Sequence, residues 1–138
     1  FDELAALSPI EVQEMYAHLF EMNRRYTLYM SYYKMTDSRE RGTILARLKM
    51  LYEMFGISEA TSELSDYLPL LLEFLAYGDY TNDPRRQDIQ LALSVIEDGT
   101  YTLLKNAVTD SDSPYIQLIR ITRSLIGSCI KMEVQEDA

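Results

Sequence analysis

The residue types that carry most enzyme chemistry are scarce in this sequence. His18 is the only histidine and Cys129 is the only cysteine. A zinc site of the usual kind needs three or four such ligands, so these two residues cannot build one. Nothing in their spacing predicts a thiol–imidazole pair. We therefore interpret His18 as a surface or packing residue and Cys129 as a small buried hydrophobic residue.

Carboxylates are numerous, but their spacing is typical of a solvated surface. Glu11, Glu14 and Glu21 lie on one predicted helix, and Glu59 and Glu63 lie in a predicted linker. The paired Glu-x-x-His pattern of di-iron bundles is absent, as are the glycine-rich nucleotide loops and the nucleophile elbow. The sequence predicts that the protein is not an enzyme and has no metal site of these kinds.

Tyrosine and methionine are the more informative residue types. The chain has 11 tyrosines and seven methionines. Six of these crowd the end of the predicted first helix: Tyr26, Tyr29, Met30, Tyr32, Tyr33 and Met35. Both residue types suit a groove that receives a partner helix, because methionine adapts its shape and tyrosine is amphipathic. Ordinary packing in the core and at its boundary is the alternative interpretation, and the sequence leaves both open.

The segment Ser65–Ala76 predicts a helix that is apolar on nearly every side and ends at Gly78. A surface helix needs only one apolar stripe, so this helix is either central or covered by a partner. Pro69 falls in its first turn, where a proline is tolerated. Glu73 is the only charge in its last eight residues. We expect Arg41 to pair with Glu73, because an unpaired buried carboxylate is costly.

The elements that position these residues are predicted to be helices throughout. Ser8-Pro9-Ile10-Glu11 is a capping box that opens a long first helix. The apolar stripe of that helix is Val12, Tyr16, Leu19, Tyr26, Met30 and Tyr33. Asp37-Ser38-Arg39-Glu40 caps a second helix, which Gly56 ends in the left-handed conformation. The apolar set of the second helix is Ile44, Leu45, Leu48, Leu51, Tyr52 and Phe55.

Two proline-containing caps predict the helices of the second half. Asp83-Pro84 opens one of them, and Asp98-Gly99 predicts a break or kink within it. Ser113-Pro114 begins the last helix. Its predicted apolar face consists of Leu118, Ile121, Leu125 and Cys129. The first eight residues and the polar segment from Met132 onward are expected to fray. The whole predicts one all-α domain over residues 1–138, a bundle of five to six helices.

Composition limits the partners and the compartment. The net charge of −9 repels nucleic acid. It favours basic peptides as partners, and an acidic surface that simply keeps the protein soluble is the alternative interpretation. No apolar run approaches the ~20 residues that a membrane-spanning helix needs, and no signal peptide is visible. A single cysteine suits the reducing cytoplasm. Because the chain begins Phe1-Asp2-Glu3, we expect it to lack some N-terminal residues.

Four motifs resemble the nitrate reductase assembly chaperones, the NarJ/NarW-type delta subunits within the wider TorD-like group. They are Tyr16-Ala17-His18-Leu19-Phe20, Asp37-Ser38-Arg39-Glu40-Arg41-Gly42, Tyr67-Leu68-Pro69-Leu70-Leu71-Leu72-Glu73-Phe74-Leu75-Ala76 and Ser113-Pro114-Tyr115. The Leu-Pro-x-x-Leu-Glu-x-Leu-Ala core is rather specific. Where family members often have a histidine-containing element, this chain has Tyr32-Tyr33-Lys34-Met35, so no role for those histidines applies here.

The resemblance implies a cytoplasmic, all-helical chaperone without a stable cofactor. Its implied partner is the catalytic (alpha) subunit of a membrane-bound nitrate reductase, whose basic, amphipathic N-terminal segment it would hold during molybdenum cofactor and iron–sulfur insertion. The expected client-binding residues are Tyr29, Tyr33, Arg41, Leu45, Tyr67, Leu68, Pro69, Leu72, Glu73 and Tyr115. A missing leading helix would bare apolar surface and favour a homodimer or domain swap.

Two other classes of function stay open. A helical regulatory or small-ligand-sensing module would contain an enclosed cavity, and a helical enzyme would bring ionisable groups together in a cleft. A chaperone would instead show an open apolar groove beside the central helix.

Overall fold

A computed structural model describes residues 2–21, 23–34, 38–57, 63–77 and 86–137, without the side chains of Ser38, Arg86 and residues 129–137. Its α-helices are α1 (Asp2–Ala5), α2 (Pro9–Tyr16), α3 (Ser38–Met54), α4 (Leu68–Tyr77), α5 (Gln90–Asn106) and α6 (Pro114–Asp137). A π-helical turn, Ala17–Glu21, continues α2, and 3₁₀ turns span Arg24–Tyr26 and Arg86–Ile89. The described residues form no strand beyond one isolated bridge. The predicted all-α fold and its number of helices are confirmed.

The chain forms two compact units. A terminal unit combines residues 1–27 with residues 100–138, and a central unit contains residues 28–99. Helix α5 begins in the central unit and ends in the terminal one. The single domain expected from the sequence stays a prediction.

The first helix begins as predicted but ends early. Ser8 Oγ accepts a hydrogen bond from Glu11 N at 3.2 Å, and Glu11 Oε1 accepts one from Ser8 N at 3.4 Å. These two bonds are the predicted capping box. Beyond Glu21 the prediction of one long helix is wrong. The side chain of Asn23 accepts from Arg25 N at 3.0 Å and starts a separate 3₁₀ turn.

Backbone pairing within the central unit explains why the helical pattern fails after Thr27. Met30 N donates to Asp66 O at 3.0 Å, and Leu68 N donates to Leu28 O at 2.8 Å. A residue cannot make these bonds and the helical i→i−4 bonds with the same N–H, so the long-range pairing replaces the helix. Met30 is nevertheless buried, as the apolar stripe predicted.

Helix α3 matches its sequence signals closely. It begins at Ser38, and Gly56 follows it with φ 76°, the predicted left-handed stop. Leu48, Leu51 and Tyr52 from the predicted apolar set are buried. The predicted cap Asp37 lies outside the described residues.

Helix α4 is shorter than predicted, because it begins at Leu68 rather than Ser65. Leu68, Leu71 and Phe74 form its buried side. The Phe74 ring packs 5.0 Å from the Tyr52 ring, measured between centroids, and so joins α4 to α3. Gly78, its predicted end, lies outside the described residues.

Helix α5 is continuous, so the break predicted at Asp98-Gly99 is wrong. Gly99 instead allows α5 to approach Met30 closely. A Cβ added at Gly99 would lie 2.6 Å from Met30 Sδ and 2.8 Å from Met30 Cα. Only a residue without a side chain allows this contact. Asp83-Pro84, the predicted start of the helix, lies outside the described residues.

Helix α6 buries a different face from the predicted one. Ile116, Ile119 and Ile126 are buried, whereas Ile121 and Leu125 are 52% and 63% exposed. Apolar residues occur on several sides of this helix, so periodicity alone could not choose between neighbouring faces. The α6 backbone is helical through Asp137, and the expected fraying from Met132 stays a prediction.

Candidate functional site

Two tyrosines from distant parts of the chain meet in the central unit. Tyr29 and Tyr67 form the isolated backbone bridge, and their ring centroids lie 5.3 Å apart. Tyr29 Oη donates a hydrogen bond to the Glu63 carboxylate. Both rings are half-buried. Because backbone and side chain are held together, the pair forms a fixed amphipathic surface of the kind that interfaces use.

The environments of Tyr29 and Tyr33 keep both phenols protonated. The hydrogen bond to Glu63, followed by burial, raises the pKa of Tyr29 to about 12. Burial is the larger cause that raises the pKa of Tyr33, and the neighbouring Tyr32 adds to it. A phenol with a raised pKa is a poor general base near neutral pH. These residues therefore suit packing and hydrogen bonding rather than catalysis.

The raised pKa of Tyr29 predicts a loss of stability in alkali. Its folded-state pKa lies above the ordinary value of 10, so its contribution is complete below pH 10 and is lost as the pH rises to about 12. Absorbance titration of the tyrosinates should show one group near pH 12 in the wild type that is missing in Tyr29→Phe. In Glu63→Gln that group should titrate at lower pH. An unchanged titration of Tyr29 in Glu63→Gln would contradict the role of this hydrogen bond.

A buried ionic cluster lies next to this pair. Asp66 is fully buried, and its Oδ2 accepts from Ser31 N at 3.0 Å, from Ser31 Oγ at 2.5 Å and from Arg41 Nη2 at 3.4 Å. Arg41 Nε also donates to Ser31 Oγ at 3.1 Å. Within the described part of the chain, Asp66 Oδ1 has no hydrogen-bond partner. The cluster fixes the segment around Ser31 against the start of α4.

The predicted ion pair between Arg41 and Glu73 is therefore wrong. Arg41 pairs with Asp66, while Glu73 is exposed on α4. A fully buried carboxylate needs a counter-charge far more than a hydrated one does. Asp66 could not be predicted as the partner of Arg41 from the sequence, because its partners are 25 and 35 residues away. Its only sequence signal was an acidic residue just before the apolar α4, which is also typical of an ordinary cap.

Two further hydrogen bonds hold the start of α4 against α3. Tyr52 Oη donates to Ser65 O at 2.6 Å, and Ser65 Oγ donates to Leu45 O at 2.7 Å. The predicted site residue Leu45 thus contributes a backbone acceptor, and its side chain is half-buried. These bonds position the helix whose outer side could bind a partner.

The outer side of α4 is exposed and mainly apolar. We call it the α4 face, and it consists of Pro69, Leu72, Glu73, Ala76 and Tyr77. These positions recur at helical spacing, so they share one side of the helix. Tyr77 is 82% exposed, Leu72 is half-buried, and Glu73 is the only charge on the face. An exposed apolar surface with one carboxylate is suited to a protein partner.

Nine of the ten predicted client-binding residues lie in the central unit and divide into three groups. Pro69, Leu72 and Glu73 lie on the α4 face; Tyr29, Tyr33, Arg41, Leu45 and Tyr67 are half-buried elsewhere in the central unit; and Leu68 is in the core. Leu68 has a structural role: its backbone N–H donates to Leu28 O, and its side chain packs in the core. Only part of the set therefore forms one accessible surface.

Tyr115 belongs to the terminal unit. Its ring centroid lies 5.9 Å from that of Tyr16 and 5.5 Å from that of Phe20. Its hydroxyl donates to Val12 O at 3.3 Å. These contacts join α6 to α2 and give Tyr115 a packing role there. Its assignment to client binding stays a prediction.

The central unit also contains an open groove that the sequence analysis missed. Its volume is about 570 Å³, and it lies between α3 and the start of α5. Met50, Leu51, Met54 and Leu91 supply its apolar lining, with Arg47 on one side and Asp88 on the other. We call it the methionine groove. Met50, Met54 and Leu91 could be read as core residues from the sequence, because helical periodicity does not reveal which positions remain uncovered.

No group of three or more histidine, cysteine or acidic side chains is close enough to hold a metal ion in the described ranges. His18 is exposed, as one of its two interpretations predicted. In the same ranges, no helix combines the length and the apolar character needed to span a bilayer.

Several known proteins have sequences similar to this chain. A probable nitrate reductase molybdenum cofactor assembly chaperone NarJ from Bacillus subtilis (strain 168) is 33% identical over 121 residues, which cover 88% of this chain and 62% of that protein. NarJ of Escherichia coli (strain K12) is 35% identical over 74 residues, 54% of this chain and 31% of its own length. The probable chaperone NarW of the same strain is 24% identical over 124 residues, 90% of this chain and 51% of its length.

The chain thus spans less than two thirds of the length of these relatives. The family model of the nitrate reductase delta subunit matches residues 2–119, which include all four motifs. With most of its length matched, from α1 into α6, this chain belongs to the nitrate reductase delta subunit family.

Proposed function

We propose that this protein is an assembly chaperone, rather than an enzyme, for the catalytic subunit of a nitrate reductase. In this proposal it acts in the cytoplasm and holds that subunit ready for molybdenum cofactor and iron–sulfur insertion before membrane attachment. The observation that carries the proposal is membership of the delta subunit family. The relatives named as nitrate reductase molybdenum cofactor assembly chaperones support it.

The binding partner that we propose is the basic, amphipathic N-terminal segment of the catalytic subunit. The α4 face, with Tyr29 and Tyr67 beside its first turn, is the surface that suits this segment. Its exposed apolar atoms would supply most of the affinity, and charge would mainly set the approach and the register. Residues 28–99 contain 12 acidic and seven basic residues, so the central unit attracts a cationic segment.

The small-ligand-sensing alternative is less well supported. Small-molecule sites usually enclose most of the ligand surface. Two pockets that the described residues line, with volumes of about 570 and 200 Å³, are open or partly open to solvent rather than enclosed. Open apolar surfaces favour a protein segment as the ligand.

Isothermal titration calorimetry with the N-terminal peptide of the co-expressed catalytic subunit tests the proposal. We expect saturable binding with a negative heat-capacity change, because apolar surface is buried. The same peptide with its basic residues replaced by glutamate is the control and should bind more weakly. If the folded protein binds neither peptide, the proposed recognition of this segment is wrong.

Replacing Glu73 by glutamine should identify the α4 face as the site. We expect the peptide affinity to fall about two- to fivefold, as for the loss of one exposed charge contact. The affinity should also depend less on salt concentration, because one screened attraction is removed. Glu53→Gln, which changes an exposed carboxylate on α3, is the matched control and should leave the affinity unchanged. Equal effects of both variants would show that only the net charge matters.

A further inference from the structure

The methionine groove has features that the proposed client surface does not explain. Met50 is 61% exposed at the edge of the groove. In such an arrangement the exposed apolar side chain of one molecule can pack into the apolar depression of a second, identical molecule. None of the ten predicted client-binding residues lines the groove.

The charges of the groove are balanced rather than acidic. Arg47 lies on the α3 side and Asp88 lies in the 3₁₀ turn before α5. Both side chains are exposed, and neither forms an ion pair with any residue that the structure describes. A purely basic client segment would find an attractive partner in Asp88 but a repulsive one in Arg47. The occupant that satisfies both must carry one charge of each sign.

We propose that the methionine groove is a self-association site, whose occupant is the same groove of a second copy of this chain. A twofold axis exchanges the two sides of the groove, so that Arg47 of each copy faces Asp88 of the other. Met50 of each copy then covers the apolar lining of its partner, and methionine adapts well to such a surface. The same surface supplies both halves of the interface.

The interface is expected to be weak. Each copy has a net charge of −9, so two copies repel each other at long range. Exposed ion pairs contribute little individually, and most of the binding energy must come from the methionine and leucine contacts. We therefore expect association only at high protein concentration.

Sedimentation equilibrium from micromolar to millimolar concentration tests this proposal. The wild-type mass should rise from 16.0 kDa toward twice that value. Arg47→Asp and Asp88→Arg should each weaken the dimer by at least about tenfold, since each turns two attractions into repulsions. An equimolar mixture of the two variants should dimerise again, because opposite charges then face each other across the axis.

Three results would overturn the proposal. A wild-type protein that stays monomeric at every concentration would do so. A wild-type dimer that neither single variant weakens would place the interface elsewhere. In methyl NMR spectra, shifts of Met50 and Met54 caused by the client peptide, at concentrations where the protein is monomeric, would assign the groove to the client. Circular dichroism of both variants checks that they remain folded. The proposal does not depend on client binding, so calorimetry with the peptide can fail while the dimer is found.

Discussion

Replacing Asp66 by alanine is expected to lower the free energy of unfolding by about 3 kcal/mol. The substitution leaves Arg41 with only 23% of its side chain exposed and without its counter-charge. It also removes the acceptor of two hydrogen bonds from Ser31. Partial hydration of Arg41 places the expected loss at the lower end of the range for broken buried pairs. Urea denaturation followed by circular dichroism measures it.

Two further variants separate the effect of the Asp66 charge from the effects of its hydrogen bonds and of losing any carboxylate. Asp66→Asn keeps an acceptor for Ser31 but loses the charge, so its cost should be intermediate. Glu73→Ala removes an exposed carboxylate and should change stability by no more than about 0.5 kcal/mol. A cost below 1 kcal/mol for Asp66→Ala would mean that the cluster does not stabilise the central unit. Equal costs for Asp66→Ala and Asp66→Asn would assign the whole effect to the charge.

Replacing glycine by alanine should have opposite effects at two positions. At Gly99 the added Cβ would lie 2.7 Å from Met30 Cβ and 2.8 Å from Met30 Cα. The resulting overpacking should cost about 1–3 kcal/mol and outweigh the better helix propensity of alanine. At Gly42 in α3 a Cβ meets nothing within 4 Å, so the variant should gain about 0.5–1 kcal/mol.

Thermal and urea denaturation of the two variants can be compared directly. Met30→Ala is not expected to rescue Gly99→Ala, because the offending Met30 Cα and Cβ remain. A stabilised Gly99→Ala would show that α5 can move away from residue 30 at little cost. Stabilisation at both positions would remove the argument for a required close approach, and destabilisation at both would contradict only the expectation for Gly42.

The parts of the fold that follow from short-range signals were predictable. The capping box at Ser8, the start of α3 and the left-handed Gly56 each depend on residues a few positions apart. In such cases the sequence contains both partners of the interaction within one helical turn. The all-α architecture follows from the same signals repeated along the chain.

The errors arose where distant residues decide the local structure. The backbone pairing of Met30 with Asp66 holds the segment around Met30 outside any helix, although the apolar pattern would continue the first helix through it. Gly99 packs closely against Met30 and does not break α5. Arg41 pairs with Asp66 rather than with Glu73, because only Asp66 is buried and needs a counter-charge. None of these facts can be read from hydrophobic periodicity, which does not identify the elements that will pack together.

For the candidate site, the sequence predicted the helix but not its accessible side. The sequence analysis expected α4 to be apolar on nearly every side with Glu73 as its lone charge, and the described helix Leu68–Tyr77 has this composition. Which of its residues would face outward depended on the packing of Leu71 and Phe74 against the rest of the central unit. The methionine groove had no sequence signal, because the sequence does not show which apolar residues stay uncovered once the helices have packed.

The pairing of residues 28–31 with residues 65–68 has a consequence for the order of folding. Ser31 and Asp66 are 35 residues apart, and all of α3 lies in the loop that they close. Helices form locally and quickly, whereas closing a loop of this length has an entropic cost that its contacts must repay. We expect α3 to form first and the loop to close late. The Tyr29–Tyr67 pair beside α4 would then be complete only in the fully folded chain, so a half-folded molecule would lack the surface that we propose for the client.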